Sequence, residues 1–147
     1  MKPLSILAAT ATLLATPVFA DGHATGDAAA GERTFRQCVA CHVVVDAEGE
    51  TLAGRNARTG PNLYGIHGRT IGSVEDFRYS GGLEALMDAE MMWDEESFVA
   101  YVQDPTGWIR EAAGDDSLRG AMSFRVRSEE DALNLYAYLV SLGGSEE

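Results

Sequence analysis

The residues of this sequence with the clearest chemistry are Cys38, Cys41 and His42. Two thiols three positions apart, with a histidine directly after the second, form the attachment pattern of a c-type haem. Both sulfurs would form thioethers with the haem vinyl groups, and His42 would bind the iron from one side. The motif therefore predicts one covalently attached haem c.

Two other uses of a cysteine pair fit this chain less well. A redox-active disulfide of the thioredoxin type has the same spacing, but it would lie near a βαβ pattern, and none is visible. A structural zinc site commonly takes four ligands from two such pairs. Only two cysteines and three histidines are present, so the composition favours haem attachment.

A second iron ligand would decide what the haem does. An open position permits gas binding or peroxide chemistry, whereas a strong second ligand favours electron transfer. The candidates are two histidines and four methionines, namely His23, His67, Met87, Met91, Met92 and Met122. Met122 leads because it lies in the flexible segment Gly120-Ala121-Met122-Ser123-Phe124, two residues before an aromatic, although an isolated methionine is more often a core residue.

Helices and glycine-rich loops would have to position these groups. Five helical segments are predicted, over Ala28–Cys41, over Gly82–Ala89, after the N-caps Asp94 and Asp104, and from the N-cap Ser128 to Leu142. Three glycines and a proline between Thr59 and Thr70 indicate a shaped loop. No strand–turn–strand pattern is visible, so we expect a small all-α domain with long loops around the haem.

The N-terminus is typical of a secretory signal peptide. Lys2 precedes an apolar run, and Val18-Phe19-Ala20 resembles a cleavage site for small residues. The run is shorter than the ~20 residues that span a bilayer, so we expect no stable membrane insertion. We predict cleavage after about Ala20, a single domain over residues 21–147 with an ordered core of about 28–143, and export to the periplasm.

Acidic residues dominate the charge. Without Lys2 the mature chain has 11 − 1 = 10 basic residues against 23 acidic ones, a net charge of −13. This excess argues against a nucleic-acid partner. The arginines are clustered at 55–69 and 119–127, in stretches that contain no acid, which predicts a small basic patch that could orient the molecule on an acidic partner.

Four segments resemble the class I cytochrome c family, in its longer, purple-bacterial cytochrome c2 type. They are CVACH, TGPNLYGIHGRT, WDEESFVAYVQDP and GAMSFRVRSEEDALNLYAYL, in the order that the family has. The resemblance covers about Gly31 to Leu142. It implies the class I cytochrome c fold, and it implies that Gly31 and Phe35 contact the last helix.

The resemblance also implies roles for individual residues. His42 and Met122 match the axial ligands of the iron, and the Pro61 carbonyl matches the acceptor for the second N–H of His42. The remaining matches are propionate partners, a tyrosine near the methionine sulfur and an aromatic beside the exposed haem edge: Arg69, Tyr79 and Trp93, then Tyr101, then Phe124. The lysines that ring the haem edge in the family are absent here, and we expect arginines to replace some of them: Arg36, Arg55, Arg58, Arg119, Arg125 and Arg127.

The implied function is that of a monomeric, single-haem electron carrier, which is not an enzyme. A cytochrome bc complex is the expected donor, and a photosynthetic reaction centre or a terminal cytochrome oxidase is the expected acceptor, each docking transiently. Two alternatives stay open. The protein could deliver electrons to one periplasmic reductase, or it could be a gas-binding or peroxidatic haem protein.

Overall fold

The computed structural model describes residues 24–143, and within them the regular secondary structure consists of five helices and one short hairpin, joined by long loops. In chain order the elements are α1 (Ala28–Phe35), β1 (Val44–Val45), β2 (Thr51–Ala53), α2 (Gly81–Asp88), α3 (Glu95–Gln103), α4 (Pro105–Ala113) and α5 (Glu129–Leu142). The predicted all-α class is confirmed. The predicted signal peptide lies outside the described residues.

The first and last helices, α1 and α5, cross at close range. A side chain at Gly31 would run into the main-chain carbonyl of Asn134 on α5. Glycine in a helix costs about 1 kcal/mol relative to alanine, and here it lets the two backbones touch. The ring of Phe35 packs against Tyr138, with the two centroids 5.6 Å apart. The expected contact of Gly31 and Phe35 with the last helix is therefore present.

The first helix is shorter than predicted. The prediction of a helix up to Cys41 is wrong, because α1 ends at Phe35. Beyond it, the amides of Gln37 and Cys38 donate to carbonyls three residues back, at 3.1 and 2.8 Å. This tighter turn geometry replaces the α-helical bond to the fourth residue back. The cysteine motif consequently lies in a turn segment directly after α1.

An antiparallel hairpin of β1 and β2 follows the cysteine motif. The expectation that no strand–turn–strand element exists is therefore wrong. The Asp46 carboxylate builds the turn by accepting the amides of Glu48 and Glu50 at 3.1 and 2.7 Å. Gly49 adopts a φ of 85°, which favours glycine. Because β2 is mostly exposed, its sequence lacks the alternation that identifies a half-buried strand.

The N-caps predicted for the last three helices are confirmed. Asp94 accepts the amide of Ser97 at 2.8 Å and begins α3. Asp104 and Ser128 each accept an amide three residues on, at 3.3 Å, and begin α4 and α5. Such side chains satisfy amides that have no partner inside the helix. The helix starts could be predicted because a cap is a local interaction.

One hydrophobic core joins these helices to the loops. Its least exposed large side chains come from several elements: Ile71, Leu86, Ile109, Tyr136 and Leu139. Four of the nine α3 residues are buried, and α5 contributes six. The loop at 54–80 is held along its length by main-chain hydrogen bonds, such as those from Gly60 to Cys41 and from Gly68 to Trp93. This loop and the one at 114–128 carry half of the predicted site residues.

Candidate haem site

The two thiols of the site, Cys38 and Cys41, lie in the turn after α1, and neither is in a disulfide. The amides of Cys41 and His42 both donate to the carbonyl of Cys38, at 3.0 and 2.9 Å. Cys38 is half-buried and Cys41 is exposed. Burial, with a smaller effect of Cys41, raises the pKa of the Cys38 thiol to about 11. Because neither thiol is in a disulfide, both sulfurs are free for covalent attachment.

The imidazole of His42 is oriented by the main chain. Its Nδ1 lies 2.9 Å from the carbonyl oxygen of Pro61. Since a carbonyl can only accept, Nδ1 carries the proton and Nε2 keeps a free lone pair. Burial lowers the pKa of His42, although the bond to Pro61 opposes this shift. The ring is thus a neutral base with one nitrogen left to bind a metal.

Hydrogen bonds between the cysteine motif and the glycine-rich loop hold Pro61 in place. The amide of Gly60 donates to the Cys41 carbonyl at 2.7 Å. A side chain at Gly60 would run into the His42 ring. Asn62 bonds the main chain of Val45 twice, at 2.9 and 2.7 Å. Hydrogen bonds of its two neighbours, Gly60 and Asn62, therefore hold the Pro61 carbonyl in place.

A half-buried cation lies in the same loop. The guanidinium of Arg69 donates to the carbonyls of Tyr64 and Asn62, at 2.6 and 3.1 Å. Burial lowers the pKa of Arg69, whereas the nearby Tyr79 raises it. Burial also raises the pKa of Tyr79, against the effects of the Val74 amide and of Arg69. Arg69 and Tyr79 are consequently near enough for each to affect the pKa of the other.

Three aromatic side chains pack beside that pair. Trp93 is 7% exposed and stacks on Trp108, with ring centroids 5.6 Å apart and an interplanar angle of 21°. Tyr101 meets Trp93 edge-on at 5.1 Å. Burial, and then the proximity of Tyr79, raises the pKa of Tyr101 to about 12. The structure therefore brings Arg69, Tyr79, Trp93 and Tyr101 into one cluster.

Met122 and Phe124 lie on the Gly120–Val126 strap, a loop segment attached at both ends. The amide of Gly120 donates to Oγ1 of Thr106 at 3.2 Å. The amide of Val126 donates to the Val102 carbonyl at 2.8 Å. Between these points Met122 is half-buried against the core, whereas Phe124 is 42% exposed. The strap is thus fixed to α3 and α4, with its methionine turned to the core.

Ser80 is a residue that the sequence analysis missed. Its Oγ is buried and has no hydrogen-bond partner within residues 24–143. It precedes α2, but it makes no cap bond there. From sequence alone, a serine before two glycines would be assigned as an N-cap. It directly follows Tyr79 in the chain.

The other candidate ligands have different surroundings. Nδ1 of His67 lies 2.6 Å from the hydroxyl of Tyr136 on α5. Met87 and Met92 are 37% and 58% exposed. Met91 is half-buried against the core, and its carbonyl accepts the amide of Ile71 at 2.8 Å. His23 lies outside the described residues.

This set of groups fits a haem c. Covalent attachment requires the two free thiols, and iron binding requires a histidine with an open Nε2. The propionates require hydrogen-bond donors, which the cluster of Arg69, Tyr79 and Trp93 offers. The buried, unpartnered hydroxyl of Ser80 indicates that a polar group belongs beside it. In residues 24–143, no helix is long and apolar enough to cross a membrane.

Several curated relatives of this chain are cytochromes c2. The chain is 58% identical over 123 residues to cytochrome c2 of Rhodovulum adriaticum, covering 84% of this chain and 98% of that relative. It is 49% identical over 134 residues to cytochrome c2 of Cereibacter sphaeroides, covering 90% of each. No protein-family model matches the chain.

Solved structures agree with the sequence relatives. Cytochrome c2 from Rhodobacter sphaeroides has a TM-score of 0.79 at 49% identity, covering 81% of this chain and 98% of that one. Ferric cytochrome c-550 from Paracoccus versutus has a TM-score of 0.75 at 37% identity, covering 82% and 100%. The predicted class I cytochrome c fold is confirmed.

Proposed function

This chain belongs to the cytochrome c2 family, and from that premise we propose that it is a periplasmic electron carrier with its iron bound by His42 and Met122. Membership establishes the coarser part, since the protein is a single-haem electron carrier with covalently attached haem c and is not an enzyme. Its two cysteines are Cys38 and Cys41. When bound, the haem supplies a one-electron change between ferrous and ferric iron.

The observation that carries the proposal is the hydrogen bond between His42 and Pro61. It fixes the tautomer, so that Nε2 is always presented as a neutral ligand, and it prevents rotation of the ring. A ligand that does not move between redox states keeps the reorganisation energy of electron transfer small. Gly60, packed against the ring, blocks its displacement on that side. A fixed ligand of this kind suits an electron carrier.

Met122 is proposed as the second ligand because of the way its segment is held. The Gly120–Val126 strap is attached at both ends, so the thioether can be kept in place without a hydrogen bond of its own. Methionine is a soft ligand that raises the reduction potential relative to a second histidine. Closure of both axial positions would exclude gases and peroxide from the iron.

The donor groups of Arg69, Tyr79 and Trp93 are proposed to bind the haem propionates, together with the hydroxyl of Ser80. Buried carboxylates need such donors, because an unpaired charge in the interior is strongly destabilising. Tyr101 is proposed to lie near the Met122 sulfur, and Phe124 beside the exposed haem edge. The exposure of Phe124 supports a role at the surface where electrons enter and leave.

The proposed partners are a cytochrome bc complex as donor, and a photosynthetic reaction centre or a cytochrome oxidase as acceptor. Transient docking of a monomer suits the charged, exposed arginines of the two clusters. Delivery to the periplasm requires that the predicted signal peptide is removed after about Ala20.

Carbon monoxide binding tests the axial ligation. We expect that the reduced protein binds carbon monoxide slowly or not at all, and that Met122→Ala binds it readily because the sixth position is then open. Met92→Ala, at an exposed methionine, is the matched control and should behave as the native protein. A sulfur-to-iron charge-transfer band in the oxidised spectrum should be lost only in Met122→Ala. Rapid carbon monoxide binding by the native protein would refute the carrier proposal.

A further inference from the structure

We propose that Thr106 is a positioning residue for Met122, and that its hydroxyl sets how readily a small external ligand reaches the iron. The inference rests on the proposed ligation by Met122 and deepens it. Oγ1 of Thr106, in the first turn of α4, accepts the amide of Gly120 at 3.2 Å. Gly120 is two residues before Met122 in the chain, so this hydrogen bond holds the strap close to the ligand.

The middle of the Gly120–Val126 strap has little else to hold it. Within the part of the chain that the structure describes, the amides of residues 121–125 donate no hydrogen bond to another main-chain group. Ala121, Ser123 and Phe124 are exposed, whereas Met122 is half-buried. A segment with few buried contacts and few hydrogen bonds opens locally at low free energy. The bonds at the two ends of the strap therefore limit how far the methionine can move.

Three side chains of α4 and its N-cap contact the chain around the strap, and they differ in strength. Asp104 pairs with Arg125 at 2.7 Å, but both side chains are more than half exposed, and exposed pairs contribute little. Nε of Arg110 donates to the Leu118 carbonyl at 2.9 Å, which lies before the strap begins. The bond to Thr106 is partly buried and attaches the strap itself. It should consequently have the largest effect on the methionine.

Close packing fixes the place where this bond forms. A side chain at Gly120 would press against Ile109 and Oγ1 of Thr106, and a side chain at Gly82 on α2 would run into Ile109 and the carbonyl of Arg119. Ile109 is fully buried. The strap thus begins on a rigid surface formed by α2 and α4. Without the Thr106 hydroxyl, the partly buried Gly120 amide would lose its acceptor there, and the strap would open more often.

Binding of an external ligand measures this opening. In the ferric holoprotein, a neutral imidazole molecule can take the place of the Met122 thioether. The iron–sulfur bond breaks and an iron–nitrogen bond forms, and neither an electron nor a proton is exchanged. Because the thioether must leave first, the apparent affinity for imidazole rises with the fraction of molecules in which the strap is open.

The test compares Thr106→Val with the native ferric holoprotein. Valine keeps the branched shape of threonine but cannot accept a hydrogen bond. Imidazole titration followed by absorption should show about fivefold tighter binding, and the Gly120 amide should exchange with deuterium about fivefold faster, as expected for the loss of one hydrogen bond. Thr106→Ser keeps the hydroxyl and should stay close to the native values. Thr51→Val, at an exposed threonine on β2, is the matched control and should behave as the native protein.

The outcomes distinguish this inference from the proposed ligation. If the native protein shows the sulfur-to-iron charge-transfer band but Thr106→Val binds imidazole as the native protein does, the positioning role is overturned and the ligation stands. Lower stability to guanidinium without tighter imidazole binding would mean a purely structural role and would overturn it too. If the native protein lacks the band, both proposals fail. Thr106→Ala removes the same acceptor and should shift imidazole binding in the same direction, which keeps the test decisive if the valine variant does not fold.

Discussion

At the scale of single residues, the buried hydroxyl of Ser80 indicates that the polypeptide alone does not satisfy every polar group near the site. A buried hydroxyl without a hydrogen bond costs about 1–3 kcal/mol. Its Oγ has no partner within residues 24–143, and Ser80 directly follows Tyr79 in the chain. We infer that a haem propionate accepts from Ser80 and compensates for this cost.

Substitution of Ser80 tests this interpretation. In the haem-loaded protein, Ser80→Ala should lower the free energy of unfolding by about 1 kcal/mol, because a hydrogen bond to a carboxylate is lost. The measurement is guanidinium unfolding, together with the midpoint potential. Ser73→Ala is the matched control, since this exposed hydroxyl bonds only the Thr70 carbonyl. Unchanged or increased stability of Ser80→Ala would mean that the hydroxyl has no partner in the holoprotein.

Residues with covalent or ligand chemistry could be predicted from sequence, and supporting residues could not. The cysteine motif is recognisable because its chemistry demands fixed residue types at fixed spacing. The role of Pro61 came only from family resemblance, since nothing in its type marks a carbonyl as an acceptor. Ser80 and Asn62 were missed because serine and asparagine have many local roles in loops.

At the scale of elements, the crossing of α1 and α5 depends on Gly31. Gly31→Ala should destabilise the protein by about 1–3 kcal/mol, because the new methyl group would overlap the Asn134 carbonyl and force the helices apart. Gly81→Ala, at the start of α2, places its methyl group in open space and should be neutral or stabilising by up to about 1 kcal/mol. Thermal unfolding of both variants checks the pair, and equal effects would contradict the close-crossing argument.

The start of α3 should make stability depend on pH. Hydrogen bonds from the Ser97 hydroxyl and amide lower the pKa of Asp94 below its usual range. A depressed folded-state pKa means that the ionised cap stabilises the protein above the unfolded pKa of about 4, and that this contribution is lost as the pH falls through the folded value.

Ser97→Ala removes the largest cause of that shift. We expect a loss of about 0.5–1.5 kcal/mol at neutral pH, which should shrink as Asp94 becomes protonated. Ser117→Ala is the control, because Ser117 makes the same two bonds to Asp115 in a loop rather than at a helix start. Its effect should be smaller at every pH. A pH-independent difference between Ser97→Ala and the native protein would disprove the linkage.

Among the elements, those with local signals were predictable. The starts of α3, α4 and α5 follow from capping residues and apolar periodicity. The end of α1 was not predictable, because no proline or glycine stops the helix there. The hairpin was missed because its turn depends on the Asp46 side chain, and because β2 has two exposed residues of three.

At the scale of the whole molecule, the net charge is strongly negative, and the two arginine clusters at 55–69 and 119–127 are locally positive exceptions. Arg58, Arg119 and Arg127 are exposed. Arg125 differs, since its guanidinium lies 2.7 Å from the carboxylate of Asp104. Part of its charge is therefore compensated within the protein. Sequence could place the arginines along the chain, but it could not show which one already has an acidic partner.

Salt dependence of electron transfer tests whether these clusters dock on an acidic partner. The second-order rate with an isolated reaction centre or cytochrome oxidase should fall as ionic strength rises, because exposed charges are screened beyond about 10 Å at 0.1 M salt. Arg58→Gln, Arg119→Gln and Arg127→Gln should each lower the rate and flatten its salt dependence. Arg125→Gln should do so less, because Asp104 already offsets its charge.

Arg78→Gln separates docking from net charge. It changes the total charge by the same amount, but Arg78 lies outside both clusters, in the acidic stretch from Glu75 to Glu96. If orientation by the clusters matters, Arg78→Gln should leave the rate and the salt slope close to those of the native protein. If it slows the reaction as much as Arg119→Gln does, only the overall charge matters. A rate that rises with salt would instead show that the acidic surface faces the partner.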